Sequence, residues 1–121
     1  MKAIRIHEFG DESVLRYEEV PDPQPGPQEV LVRVKAASLN RGDLGRRAGT
    51  YGGGEGEPLP FTPGWEVAGV VEAVGPEVRE RMPGQRVLAQ SPAGGYAELG
   101  FVSEATRYHG WLWQAKEGGG A

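Results

Sequence analysis

Few side chains in this chain have the type and spacing to do chemistry. It has no cysteine and only two histidines, His7 and His109. A thiolate metal site is therefore excluded, and two isolated histidines do not make a zinc site. The polar residues that remain cluster in the middle of the sequence. Asn40 precedes a short run that can be helical, where its side chain suits an N-cap. Asp43 then falls in the first turn, where a carboxylate suits the helix dipole. Glu66 opens a long apolar run, so Asp43 and Glu66 read mainly as structural, bonding backbone at a helix start and a strand entrance. Tyr51 stands at the head of a glycine-rich loop, residues 50–59, that fits neither the dinucleotide fingerprint nor the phosphate-binding loop. Arg41, Arg46 and Arg47 read as a solvated cluster on a surface.

These residues have to be held by strands. Glu66–Val74 is rich in valine, with Val67, Gly69, Val71 and Ala73 on one face and Ala68, Val70 and Val74 on the other. Two apolar faces predict a central strand buried on both sides. Gly69 within it predicts a bulge or a close backbone approach. Glu29–Ala37 alternates, with Val30, Val32, Val34 and Ala36 facing inward and Leu31, Arg33 and Lys35 outward. Lys2–His7, Leu15–Val20, Gln85–Gln90 and Gly95–Leu99 are the other expected strands. Asn40–Ala48 is the one expected helix, shortened by Gly42 and Gly45 and stopped by Gly49. Pro21–Pro27 is a stiff surface connection. The tryptophans at 111 and 113 are expected to patch the core or cover an edge.

The 121 residues suit one domain. Twenty glycines and ten prolines punctuate apolar runs, as turns do in a β fold. Six short strands and almost no helix predict a mainly β domain, a closed or partly open β-barrel with one short helix. Its expected core is Val30, Val32, Val34, Val67, Val71, Val87 and Leu88. The net charge of −4 argues against nucleic acid as a partner. No apolar run approaches the 18 or so residues of a membrane span, and the first residues alternate where a signal peptide would be apolar. A cytoplasmic location is the expectation.

The order of residues 63–75, Pro-Gly-Trp-Glu-Val-Ala-Gly-Val-Val-Glu-Ala-Val-Gly, resembles the central signature of the medium-chain dehydrogenase/reductase superfamily. Residues 36–44, 47–51, 87–91 and 94–98 narrow the resemblance to zinc-independent quinone oxidoreductases. It implies a GroES-like catalytic domain over residues 1–100. Asn40 and Trp65 stand where zinc-dependent relatives carry a cysteine and a histidine ligand, so no metal is expected. The implied reaction is hydride transfer from NADPH to a quinone or another α,β-unsaturated carbonyl. Asn40 and Tyr51 are the implied catalytic residues, and Asn40, Tyr51 and Gln90 the implied contacts to the cofactor. Gly45 replaces a tyrosine that lines the pocket in several relatives, which implies a wider site.

The resemblance also implies a Rossmann domain, and none is readable. Residues 101–121 read as a divergent tail, and the change of character after Leu99 is what a truncation or an out-of-frame segment would give. The chain alone is then expected neither to hold NADPH tightly nor to turn over. The face that a second domain would cover is expected to be open and apolar, and to form a homodimer. The competing readings are a stand-alone GroES-like binding or interaction module and one half of a split oxidoreductase.

Overall fold

The computed structural model describes residues 1–51, 58–91, 94–104 and the two strand residues 113–114. In chain order the elements are β1 (Lys2–Ile6), a single 3₁₀ turn (Glu12–Val14), β2 (Leu15–Glu19), β3 (Glu29–Ala37), α1 (Arg41–Ala48), β4 (Glu66–Val74), β5 (Arg86–Gln90), β6 (Leu99–Ser103) and β7 (Trp113–Gln114). Among the described residues the chain is thus mainly strand with one α-helix. β3 and β4 have the expected bounds. α1 begins after Asn40 at the N-cap and ends at Gly49, whose left-handed φ of 78° suits glycine.

The larger sheet has five strands in the order β6-β3-β4-β5-β7, all neighbours antiparallel. β1 and β2 form a separate two-stranded ribbon. β1 makes two single bridges to segments outside the larger sheet, Ala3 to Ala97 and Ile6 to Phe61, and no ladder joins the two sheets. The expected barrel is therefore not closed: its wall is two open sheets.

The main core is Val30, Val32, Val67, Val71, Val87, Ala89 and Val102, with Val34, Val74 and Val78 packed against it. Leu88 departs from expectation at 50% exposed. Alternation along β5 turns Val87 and Ala89 inward and Leu88 to the opposite face. Leu31 departs the other way and is buried. The β3–β4 register slips twice, Glu72 being the extra residue on β4 and Lys35 the extra residue on β3.

β4 is central in the ladder, yet only one face is fully buried. Val67, Gly69 and Val71 are covered, Ala68 and Val70 are half-buried, and Glu72 reaches solvent to pair with Arg33. Gly69 meets β3 closely: a Cβ there would lie 2.1 Å from the Arg33 carbonyl oxygen. A second cluster, Ile6, Val14 and Phe61 with Phe9 against it, sits under the β1–β2 ribbon.

The last expected strand is displaced. Residues 95–98 form a connection tied to three segments, through Gly95 N–H to Gly64 O and Tyr96 N–H to Pro63 O, Glu98 N–H to Lys2 O, and Val34 N–H to Glu98 O. The strand starts at Leu99 and pairs with β3, Val102 opposite Val30. The boundary expected after residue 100 falls inside this paired strand. β7 covers the free edge of β5. Residues 52–57 of the glycine-rich loop, His109, Trp111 and the glycines at 118–120 lie outside the described residues.

Candidate active site

The site is built where β3 and β4 end side by side. Ala37 pairs with Val67, and the Ser38 N–H donates to the Glu66 carbonyl (3.0 Å), carrying the pairing one step further. This places the Ser38 hydroxyl to donate to Glu66 Oε2 (2.6 Å). Asn40 Nδ2 donates to Ser38 Oγ (2.9 Å) and to Glu66 Oε2 (3.3 Å). Glu66 therefore binds side chains, which its position at a strand entrance did not reveal.

These bonds set the charge of the site. The Ser38 hydroxyl, and after it the Asn40 amide, hold the Glu66 carboxyl below its ordinary 4.5, against a smaller opposing effect of burial. A depressed carboxyl stabilises the fold above its unfolded value and loses that contribution as pH falls through the folded value. Glu66→Gln is accordingly expected to flatten part of the stability loss below about pH 4.5. Urea midpoints of the two chains between about pH 7 and about pH 3 check this, and parallel curves would mean that these bonds do not favour the ionised form.

Asp43 is buried at the start of α1. Its Oδ2 accepts from the Asn40 N–H (2.9 Å) and from the Tyr96 hydroxyl (2.7 Å), as expected for a carboxylate at a helix start in the first case and unforeseen in the second. The Tyr96 hydroxyl also lies 3.2 Å from the Ser38 carbonyl oxygen. Burial, and after it the bond to Asp43, pushes the Tyr96 phenol well up. Tyr96 is the site residue that sequence reasoning missed: its partners lie 53 and 58 positions away, a separation that leaves no local pattern.

An aromatic group flanks this network. The Tyr51 and Trp65 rings meet edge to face at 5.2 Å. The Arg46 guanidinium lies 5.3 Å from the Trp65 ring and 5.8 Å from that of Phe61. Arg46 is 5% exposed, so it leaves the solvated cluster expected of the three arginines and packs its planar head on rings. A Cβ at Gly42 would lie 2.9 Å from the Trp65 indole, so glycine at this position makes room for it.

Beside the network is a cavity of about 510 Å³, walled by Ala36, Ser38, Glu66, Ala68, Leu88 and Gln90 among others. Gln90 sits opposite Glu66 in the β4–β5 ladder. Glu66 thus joins two of the three residues singled out from sequence, Asn40 on one side and Gln90 on the other. Tyr51 stands apart from the cavity wall, against Trp65, and is half exposed. Among the described residues no group of three or more His, Cys, Asp or Glu is placed to hold a metal, and no helix is long and apolar enough to cross a membrane. His7 is exposed and bonds Glu18.

The family described as the alcohol dehydrogenase GroES-like domain matches residues 26–119. The chain belongs to that family. The match extends beyond β6, to residue 119. The chain is 42% identical over 110 residues to a quinone oxidoreductase of Lama guanicoe, covering 89% of this chain and 33% of that protein. Among solved structures it resembles a quinone oxidoreductase of Pseudomonas syringae pv. Tomato DC3000, with a TM-score of 0.85 and 39% identity over 97% of this chain and 34% of that one. It also resembles the Escherichia coli quinone oxidoreductase complexed with NADPH, with a TM-score of 0.82 and 30% identity over 93% of this chain and 33% of that one. This GroES-like domain spans about a third of the length of the relatives it matches.

Proposed function

We propose that this GroES-like domain is the acceptor-side part of a zinc-independent, NADPH-dependent quinone oxidoreductase, in which a quinone or an α,β-unsaturated carbonyl accepts hydride. One observation carries the reading. Ser38 and Glu66, both hydrogen-bonded to Asn40 behind them, border an apolar hollow of about 510 Å³, within the usual size of small-molecule sites. Ser38, Glu66 and Gln90 are the polar side chains of its wall, Asn40 reaches it through Ser38 and Glu66, and none of these side chains is a soft metal ligand.

In this reading Asn40 positions the ring system. Its bond to Glu66 is the longer of its two, at 3.3 Å, and is the one a ligand oxygen would take over. Gln90 supplies a second amide across Glu66 from Asn40. Tyr51, half exposed on Trp65, closes over the outer side. When bound, the cofactor supplies the hydride. Only its ring end is suited here. α1 has the carboxylate of Asp43 at its N-terminus, the place where an anion would otherwise sit, so this helix offers a pyrophosphate no anchor.

The chain alone is therefore expected to show no NADPH-dependent quinone reduction above the uncatalysed rate. Turnover near 1 s⁻¹, the low end of ordinary enzymes, would show that it anchors a cofactor by itself. Replacing the corresponding third of the Pseudomonas syringae protein with this chain tests the positive half. The chimera should reduce quinone, and Asn40→Ala in it should lower kcat/KM by about tenfold or more. A folded, NADPH-binding chimera with no activity would sink the reading.

Self-association belongs to the same proposal. Leu88 at 50% exposed, with Ala36 and Ala68 beside it, leaves the cavity face apolar and open. A homodimer through this face is expected in sedimentation experiments. A monomer at high protein concentration would refute it.

A further inference from the structure

A second cavity, of about 410 Å³, shares no wall residue with the first. Its walls include Val20, Pro60, Phe61, Ala97, Leu99 and Phe101, all apolar, and one side chain out of keeping with them, Arg5. The Arg5 Nε is shielded from solvent and has no hydrogen-bond partner, and no carboxylate among the described residues pairs with its guanidinium. The other cation at the cavity, the Met1 amino group, already bonds Asp22 at 2.7 Å.

Neighbouring charges sharpen the imbalance. Arg5 lies directly opposite Arg16 in the β1–β2 ladder, and like charges in that position repel. The diagonal carboxylate, Glu18, is bonded to His7. A guanidinium with a shielded, unmet donor beside a like charge is a cost that a bound anion would remove.

We propose that this second cavity is a binding site for an apolar monocarboxylate, its hydrocarbon body against Phe61, Leu99 and Phe101 and its carboxylate on Arg5. Charge selects the head group. A guanidinium presents a planar fork that matches a carboxylate, and one uncompensated positive charge calls for one negative charge. A dianionic phosphate ester would bring one charge too many into an apolar wall. The volume accommodates a chain of about eight carbons or a single substituted ring.

Octanoate and 1-octanol, equal in length and differing in charge, are suitable probes for calorimetric titration of the unaltered chain. Octanoate should bind with a dissociation constant of about 1 mM or below, and octanol about tenfold more weakly or worse. Arg5→Met, which keeps the length and apolar stem of the side chain, should erase the difference between the two probes. Arg86→Met, altering a cation on β5 remote from this cavity wall, should leave it intact. Equal binding of octanoate and octanol by the unaltered chain would overturn the proposal and mark a merely greasy hollow. So would absence of saturable octanoate binding up to about 10 mM. Should Arg5→Met fail to fold, the comparison of the two probes on the unaltered chain still decides.

Discussion

Val32→Asp is expected to abolish cooperative folding of this chain. Val32 is fully buried, paired with Val71 of β4 on one side and Gly100 of β6 on the other, inside a cluster made wholly of valine and alanine. A carboxylate there meets no cation and no donor. Its ionised form costs several kcal/mol, and its neutral form still leaves unmet hydrogen-bonding atoms. A domain of this size holds a net stability of about 5–15 kcal/mol, so one such change consumes most or all of it. Circular dichroism through a urea titration reads the result. A soluble variant with a sigmoidal transition would remove Val32 from the core. Val34→Asp is the useful companion, because Val34 is only partly buried and its carboxylate can turn toward water.

Gly75→Ala should be the next most damaging change, with a loss above about 3 kcal/mol. Gly75 closes β4 against the end of the proline-rich connection. Its N–H donates to the Glu29 carbonyl (2.8 Å), and the Glu77 N–H donates to that of Pro27 (2.8 Å). A Cβ on residue 75 would lie 2.0 Å from the Gly26 oxygen and 2.5 Å from the Pro27 oxygen. Those obstacles are backbone, so relief means pulling the connection off the strand and breaking both bonds. Gly84→Ala separates this cause from backbone strain. Gly84 has a φ of 93° and nothing within 4 Å, so only strain of about 1–2 kcal/mol applies. Urea midpoints compare the two, and equal losses would show that the close approach is not what fixes Gly75.

The parts legible in the sequence were those fixed by local pattern. β3 and β4 were readable because valines recur along each run between clear turn signals, and α1 because Asn40 and Gly49 punctuate it. The failures have a common cause in long-range pairing. Residues 95–98 look like one strand, but their bonds are shared among Gly64 and Pro63, Lys2 and Ile4 of β1, and Val34 of β3, so no single ladder forms. Leu31 is buried although it alternates with the core valines of β3, and the two register slips between β3 and β4 are not announced by either strand alone. Asn40 could be singled out by position, and Gln90 by resemblance. Their link through Glu66, and the reach of Tyr96 to Asp43, depend on which strands lie side by side.

β3 pairs with β4 through a connection that contains α1, and with β6 only after residues 38–98 have been traversed. Val102 of β6 is 1% exposed and belongs to the same cluster as Val30 and Val32. While the chain is being synthesised, the valines of β3 therefore wait beside an unpaired strand edge until residues 99–103 emerge. Closing so long a loop costs entropy before any burial offsets it. Folding should be slow for a chain this short, on the milliseconds-to-seconds scale of sheets made by distant pairing, and the exposed edge in the interval is where nascent chains would stick to one another.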